Sequence, residues 1–146
     1  MSGAIEGVLW DLPAMAFSKC VPNHLFEKIR DAKWQADGDF NASLKAAAAH
    51  AARMAVETLA SPEKHLGTVV NINFPVGTGA DTPIIDTFPA KLQLGSLFAE
   101  SSPGKFTFRY SDGFVTDSDP NTDRAVLESG RTSRILLDFS RIGKRD

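Results

Sequence analysis

With one cysteine, Cys20, the chain cannot close a disulfide on itself, which suits a reducing compartment. Net charge is also scarce: 16 basic against 18 acidic residues leave −2 at neutral pH. Without a basic face there is no long-range attraction for a nucleic-acid backbone or an anionic membrane. No hydrophobic run is long enough for a bilayer either. The longest apolar-looking stretch, 44–60, is mostly alanine and carries Lys45, His50, Arg53 and Glu57. Near the N-terminus an apolar stretch is interrupted by Glu6 and Asp11, and no Lys or Arg precedes it, the reverse of a secretory signal. These absences lead us to expect a soluble, cytoplasmic protein with neither nucleic acid nor membrane as a partner.

The common catalytic signatures are missing too. His24, His50 and His65 form no H-E-x-x-H or triad-like arrangement, and Cys20 with His24 supplies only two of the ligands a zinc site needs. There is no G-x-S-x-G nucleophile elbow. Gly77-Thr78-Gly79 lacks the lysine and the strand-turn-helix setting of a phosphate-binding loop and reads as a flexible linker. Asp117, Asp119, Asn121 and Glu128 match four positions of a calcium loop. Thr122, however, stands where the turn glycine belongs and Pro120 sits inside the turn, so an acidic helix-capping loop is the better reading.

What is present is an ordinary globular balance, 42% apolar and 23% charged residues, in 146 residues that suffice for one domain. Ile5, Val8, Leu9 and Leu12 mark one face of a helix over 3–12, and Pro13 opens a buried strand over 14–18. A mixed segment follows, with a possible helix over 24–34 (Leu25, Phe26, Ile29 and Trp34 inward) broken at Asp37-Gly38-Asp39. Asn41 can cap a helix running to Ala60 with Leu44, Ala47, Ala48, Ala51, Met54, Ala55 and Leu59 inward, stopped by Ser61-Pro62. A strand over 67–74 ends at Pro75. Short β-type runs over 84–88, 91–98 and 105–110 then form a β-rich arm, about 77–116, with a hairpin signal at Tyr110-Ser111-Asp112-Gly113-Phe114. Asn121-Thr122 caps a helix to Ser129, Gly130 closes it, and 131–139 is a last strand before a frayed tail at 143–146. The order predicts an α/β fold, part of a Rossmann-like sheet.

Three stretches carry a resemblance. Gly3-Ala4-Ile5-Glu6-Gly7 with Leu12-Pro13-Ala14-Met15-Ala16-Phe17-Ser18 is similar to an A-x-E-G helix end leading into P-[AS]-I-A-x-S. Gly67-Thr68-Val69-Val70-Asn71-Ile72-Asn73-Phe74-Pro75 is close to G-T-L-L-N-V-N-x-P. Asn121-Thr122-Asp123, Ala125, Gly130 and Ser133 resemble G-T-D-x-x-A followed by G-Y-V-S. In this order they resemble the SurE family of metal-dependent 5′/3′-nucleotidases. Asn121 in place of glycine, Arg131 in place of an aromatic, and Arg134-Ile135-Leu136 in place of T-P-L mark a divergent member.

The resemblance implies that residues 1–146 are the C-terminal portion of such a phosphatase domain. It implies nucleoside monophosphates as substrates, Mg²⁺ or Mn²⁺ as cofactor, and a homo-oligomer joined through the β-rich arm. The family holds its metal on a strand ending in Asp-Asp-Gly, a loop serine and an S-G-x-N stretch. No Asp-Asp pair occurs here, so no metal ligand and no catalytic residue is assigned. The alternative is a non-catalytic, SurE-derived oligomerisation or binding module. The expected substrate-side residues are Ser2, Gly3, Asn71, Asn73, Thr122 and Asp123. Each has a plainer reading: Ser2 and Gly3 as a chain end, the asparagines as partners of backbone groups, and Thr122 and Asp123 as a helix cap.

Overall fold

A computed structural model of the chain describes residues 1–33, 35, 38–93, 95–108, 114–116 and 118–141. The elements run α1 (Ser2–Leu9), β1 (Ala14–Lys19), α2 (Asn23–Asp31), α3 (Gly38–Ala60), β2 (Thr68–Phe74) and β3 (Ile84–Asp86). They continue with β4 (Leu92–Gln93), β5 (Phe98–Ser102), β6 (Lys105–Phe108), β7 (Phe114–Val115), α4 (Asp123–Glu128) and β8 (Thr132–Asp138). Four strands make one mixed sheet in the order β1-β2-β8-β3. β1 lies parallel to β2, while β8 is antiparallel to β2 and parallel to β3.

The sheet is an α/β sheet because β2 is apolar on both faces and each face is covered. Val70, Ile72 and Phe74 join Ala47 and Met54 of α3, with Met15, Ala51 and Ile84 packed alongside. On the opposite face Val69 joins Val8 and Ala14, flanked by Ala4, Ile5, Ala16, Leu137 and Phe139. A strand covered on both sides carries a largely apolar run, as β2 does apart from Asn71 and Asn73 toward its carboxyl end.

The buried side of α3 comprises Phe40, Ser43, Ala47, His50, Met54 and Thr58, a stripe spaced by three and four. This corrects the expected face and start: Leu44 and Leu59 are exposed, and the helix begins at Gly38 instead of Asn41. Phe40 needs that extra turn to reach the core, and Asp39 favours the helix there by sitting in its first turn. α1 likewise ends at Leu9, before the expected Leu12, because Asp11 takes a left-handed φ of +54°. Leu9 and Leu12 are therefore exposed, not inward. In α2 only Ile29 of the expected face is buried, Phe26 is exposed, and Trp34 lies outside the described residues.

The arm also differs from expectation. β3 belongs to the main sheet, so the excursion begins after it. The stretch 91–98 is not one strand but β4 followed by a break, and β4 pairs antiparallel with β7. β5 and β6 form a hairpin turning at Gly104, whose φ of +74° is the left-handed conformation glycine permits. The expected turn at 110–114 falls mainly on 109–113, and the tail on 142–146, all outside the described residues. α4 matches expectation: the Thr122 hydroxyl accepts from the Ala125 N–H, and Gly130 follows at φ +78°. Among the described residues no helix is long and apolar enough to cross a membrane.

β3 is tied to β8 by a two-pronged ion pair, Arg134 Nε to Asp86 Oδ1 at 2.5 Å and Arg134 Nη2 to Asp86 Oδ2 at 2.8 Å. The guanidinium holds the Asp86 carboxyl below its ordinary value by hydrogen bonding, against a smaller opposing effect of burial. A depressed carboxylate contributes stability that is fully present above its unfolded value and is lost as pH falls through the folded one. Both side chains are well exposed, so water and salt screen the pair. Asp86→Asn is expected to cost about 0.5 kcal/mol near pH 7 and less in high salt. Denaturant midpoints at pH 7 and pH 3 check this, and the gap between variant and parent should close at the lower pH.

Candidate functional site

Strand register decides which polar residues meet. Successive side chains alternate faces, so Asn71 and Asn73 share the face of Val69, the one α1 covers. Directly across from Asn73 stand Ser18 on β1 and Ser133 on β8, and Ser133 in turn faces Ile85 of β3. The Ser133 hydroxyl lies 2.8 Å from the Thr87 hydroxyl. A polar row thus crosses the sheet near the carboxyl ends of β1 and β2. One step inward, Asn71 sits between Ala16 and Ile135 and is only 9% exposed.

Neither asparagine amide bonds another described residue, and neither is among the fully buried polar atoms left without a partner, so both keep some contact with solvent. α1 covers the same face. Residues 10–13 join it to β1, so it must run back along that strand, and a Cβ on Gly7 would touch Ala14 Cβ at 3.7 Å. Eight residues span about 12 Å, well short of the roughly 20 Å of the six-residue strand beneath. The exposed Ser2 and Gly3 therefore stand over the middle of β1, near the level of Ala16, with the positive dipole end of the helix.

Thr122 and Asp123 are placed elsewhere. Thr122 bridges to Phe88, two residues beyond β3, which runs parallel to β8 and so toward the amino ends of β1 and β2. Thr122 is 1% exposed; its hydroxyl accepts from Ala125 and donates to the Asp119 carbonyl at 3.1 Å. Asp123 Oδ1 accepts from the Ala90 and Arg124 N–H groups at 2.8 Å each. Asp119 Oδ1 accepts from the Asn121 backbone and amide, closing a turn. Asp117, the first position of the calcium-like pattern, lies outside the described residues. The structure therefore puts Ser2 and Gly3 on the helix that covers the face of Asn71 and Asn73, while Thr122 and Asp123 cap α4 beside Phe88.

Sequence reasoning passed over Ser18, Ser133 and Thr87 as site residues, because their neighbourhood depends on pairing register. It also took Gly77-Thr78-Gly79 for a flexible linker, which is corrected here. Thr78 is buried and donates to the Pro75 carbonyl, Gly79 N–H donates to Thr82, and the Gly79 carbonyl meets His50 Nε2 at 3.0 Å.

Amides, hydroxyls and helix N–H groups can hold phosphate oxygens or sugar hydroxyls, but they are poor company for a hard cation. Mg²⁺ and Mn²⁺ require carboxylates among several converging oxygens. Among the described residues no group of three or more His, Cys, Asp or Glu converges, so they do not fit a resident metal by themselves.

Comparison with known proteins agrees with the geometry. The family model described as "Survival protein SurE" matches residues 1–92. No curated protein sequence matches the chain. Among solved structures the chain is similar to the SurE protein from Aquifex aeolicus, with TM-score 0.51 and 17% identity over 94% of this chain and 50% of that one. The chain thus spans about half the length of that structure. The match covers α1, α3 and the strands β1, β2 and β3, with Asn71 and Asn73 on β2, and on that evidence the chain belongs to the SurE family.

Proposed function

We propose that this chain forms the substrate-side wall of a SurE-type phosphatase that hydrolyses nucleoside monophosphates with Mg²⁺ or Mn²⁺, the metal being held by residues outside these 146. The observation that supports it is the pair of amides, Asn71 and Asn73, on the sheet face that α1 covers, with no hydrogen bond to another described residue. Ser2 and Gly3 present the helix end to phosphate, and Asn71 and Asn73 face the same substrate. Thr122 and Asp123 hold α4 and the start of the arm in place. Phosphate monoesters hydrolyse extremely slowly unaided, so neutral donors alone are insufficient, and a metal would supply hydroxide and neutralise charge.

The same reading makes the molecule a homo-oligomer joined through its arm. The β5–β6 hairpin displays Phe98, Phe106 and Phe108 to solvent. Phe98 pairs with Phe108 and Glu100 with Phe106, so the three rings share one face.

The test is phosphate release from AMP and GMP, with Mn²⁺ or Mg²⁺ and again with excess chelator. The chain alone should be inactive. A segment carrying the Asp-Asp-Gly strand, added in trans, should produce turnover that chelator abolishes. Asn73→Leu should then lower kcat/KM at least tenfold, about 1.4 kcal/mol of transition-state binding. Chelator-resistant turnover by the chain alone would overturn the proposal. The second reading, a non-catalytic association module, is favoured by the lack of converging metal ligands among the described residues. It predicts a folded oligomer with no turnover even after the segment is added.

A further inference from the structure

Lys19 ends β1 on the rim just described, where a lysine invites assignment as a phosphate anchor. Its surroundings say otherwise. The Nζ donates to Ser43 Oγ at 2.8 Å, to the Val76 carbonyl at 2.7 Å and to Thr78 Oγ1 at 3.0 Å, and also to the Pro75 carbonyl. Both hydroxyls are themselves oriented. Ser43 donates to the Val76 carbonyl and Thr78 to the Pro75 carbonyl, each at 2.8 Å, so their lone pairs are left for the ammonium. The Phe40 ring centroid lies 5.9 Å from Nζ. An ammonium has three N–H donors, and here four oxygens compete for them.

We propose that Lys19 is a tethered cation at the centre of a four-oxygen nest, a positioning residue that shapes the loop after β2 and does not bind substrate phosphate. The nest joins three elements: the end of β1, the loop 75–78, and the first turns of α3 through Ser43 and Phe40. His50 holds the next residue of that loop, Gly79, to the same helix. Carbonyl oxygens packed this closely repel one another unless a positive charge lies between them. Burial disfavours the ammonium, and the lone pairs replace the water it has lost. The nest thus fixes the rim beside Ser18 and Asn73 whatever ligand that rim takes, so the inference does not rest on the proposed activity.

The prediction has a chemical signature. Lys19→Ala removes three methylenes and the ammonium, which is propylammonium in outline. The thermal midpoint of that variant should fall by roughly 10 °C. Propylammonium chloride at tens of millimolar should restore at least half of the loss. Tetramethylammonium chloride, with equal charge but no N–H, should restore nothing. Equal recovery with both salts, or no fall in midpoint, would overturn the proposal.

Should the variant fail to fold, the unaltered chain still gives an answer. The Lys19 side-chain ammonium should show a resolved ¹⁵N–¹H signal at neutral pH because its exchange with water is slow. Thr78→Val should weaken that signal, and inorganic phosphate should leave it in place. A Lys19 signal lost to fast exchange, or one that moves as phosphate is added, would sink the idea.

Discussion

A chain carrying Ile72→Ala is expected to be less stable by about 3–4 kcal/mol, enough to leave a domain of this size partly unfolded at 37 °C. Ile72 is 0% exposed, in the strand that pairs on both sides. Its side chain points to α3, where Ala47 and Met54 close over it. The loss therefore combines lost burial with a cavity. Urea titration gives the number, and the slope should stay unchanged if the native state keeps its compactness. Ile72→Val is the control, with an expected loss of about 1 kcal/mol. A loss below that for the alanine variant would mean that β2 does not sit at the centre of the core.

The second large effect concerns the arm. Replacing Phe98, Phe106 and Phe108 together by serine is expected to leave the far-ultraviolet spectrum of the sheet intact and to convert the proposed oligomer to single chains. Phe106 is 65% exposed, and the Phe98–Phe108 pair meets edge to face at 5.7 Å with its outer surface open. An isolated two-stranded hairpin is barely stable in water, so one with three rings on a single face needs something to cover it. Burying one phenylalanine is worth about 1.5–3 kcal/mol, and loss of three should weaken association by at least about a hundredfold. Light scattering decides: the variant should run at the chain mass of 15.8 kDa while the parent runs at a multiple of it. A parent at the chain mass, or an unshifted variant, would end the arm proposal.

The sequence showed some of this directly. The Val-Val-Asn-Ile-Asn-Phe run marked β2 and its two amides, because alternation along a strand is local and Pro75 marks its end. Thr122 declared itself as a cap for the same reason, since a capping hydroxyl meets an N–H only three residues on. Non-local features were hidden. That Ser133 lines up with Asn73 depends on β8 returning antiparallel across some sixty residues, which no window can see. The inward face of α3 was misjudged because alanine-rich helices carry little contrast: Leu44 looked more apolar than Ser43, yet Ser43 meets Lys19 and Leu44 meets water. Gly77-Thr78-Gly79 looked loose because its ties to Pro75, His50 and Thr82 depend on the folded loop and its neighbours.

The pairing of β2 with β8 also sets a clock. Thr68 lies opposite Asp138, so the ladder at the middle of the sheet cannot zip until the chain between has been gathered in. Long-range pairing of this kind slows folding, because the closure entropy is lost before the contacts that offset it are made. The β1–β2 and β3–β8 pairs need closures almost as long, and only the α1–β1 unit can begin from near contacts. A kinetic order follows, with the α1–β1 unit forming first and all three ladders of the sheet waiting on long closures. Trimming the β5–β6 hairpin would shorten the enclosed chain by well under half, and even a full halving would lower the closure term by only about 0.6 kcal/mol, under threefold in rate. The hairpin is thus nearly neutral in the race to fold, and evolution could lengthen or redecorate it without slowing the birth of the sheet.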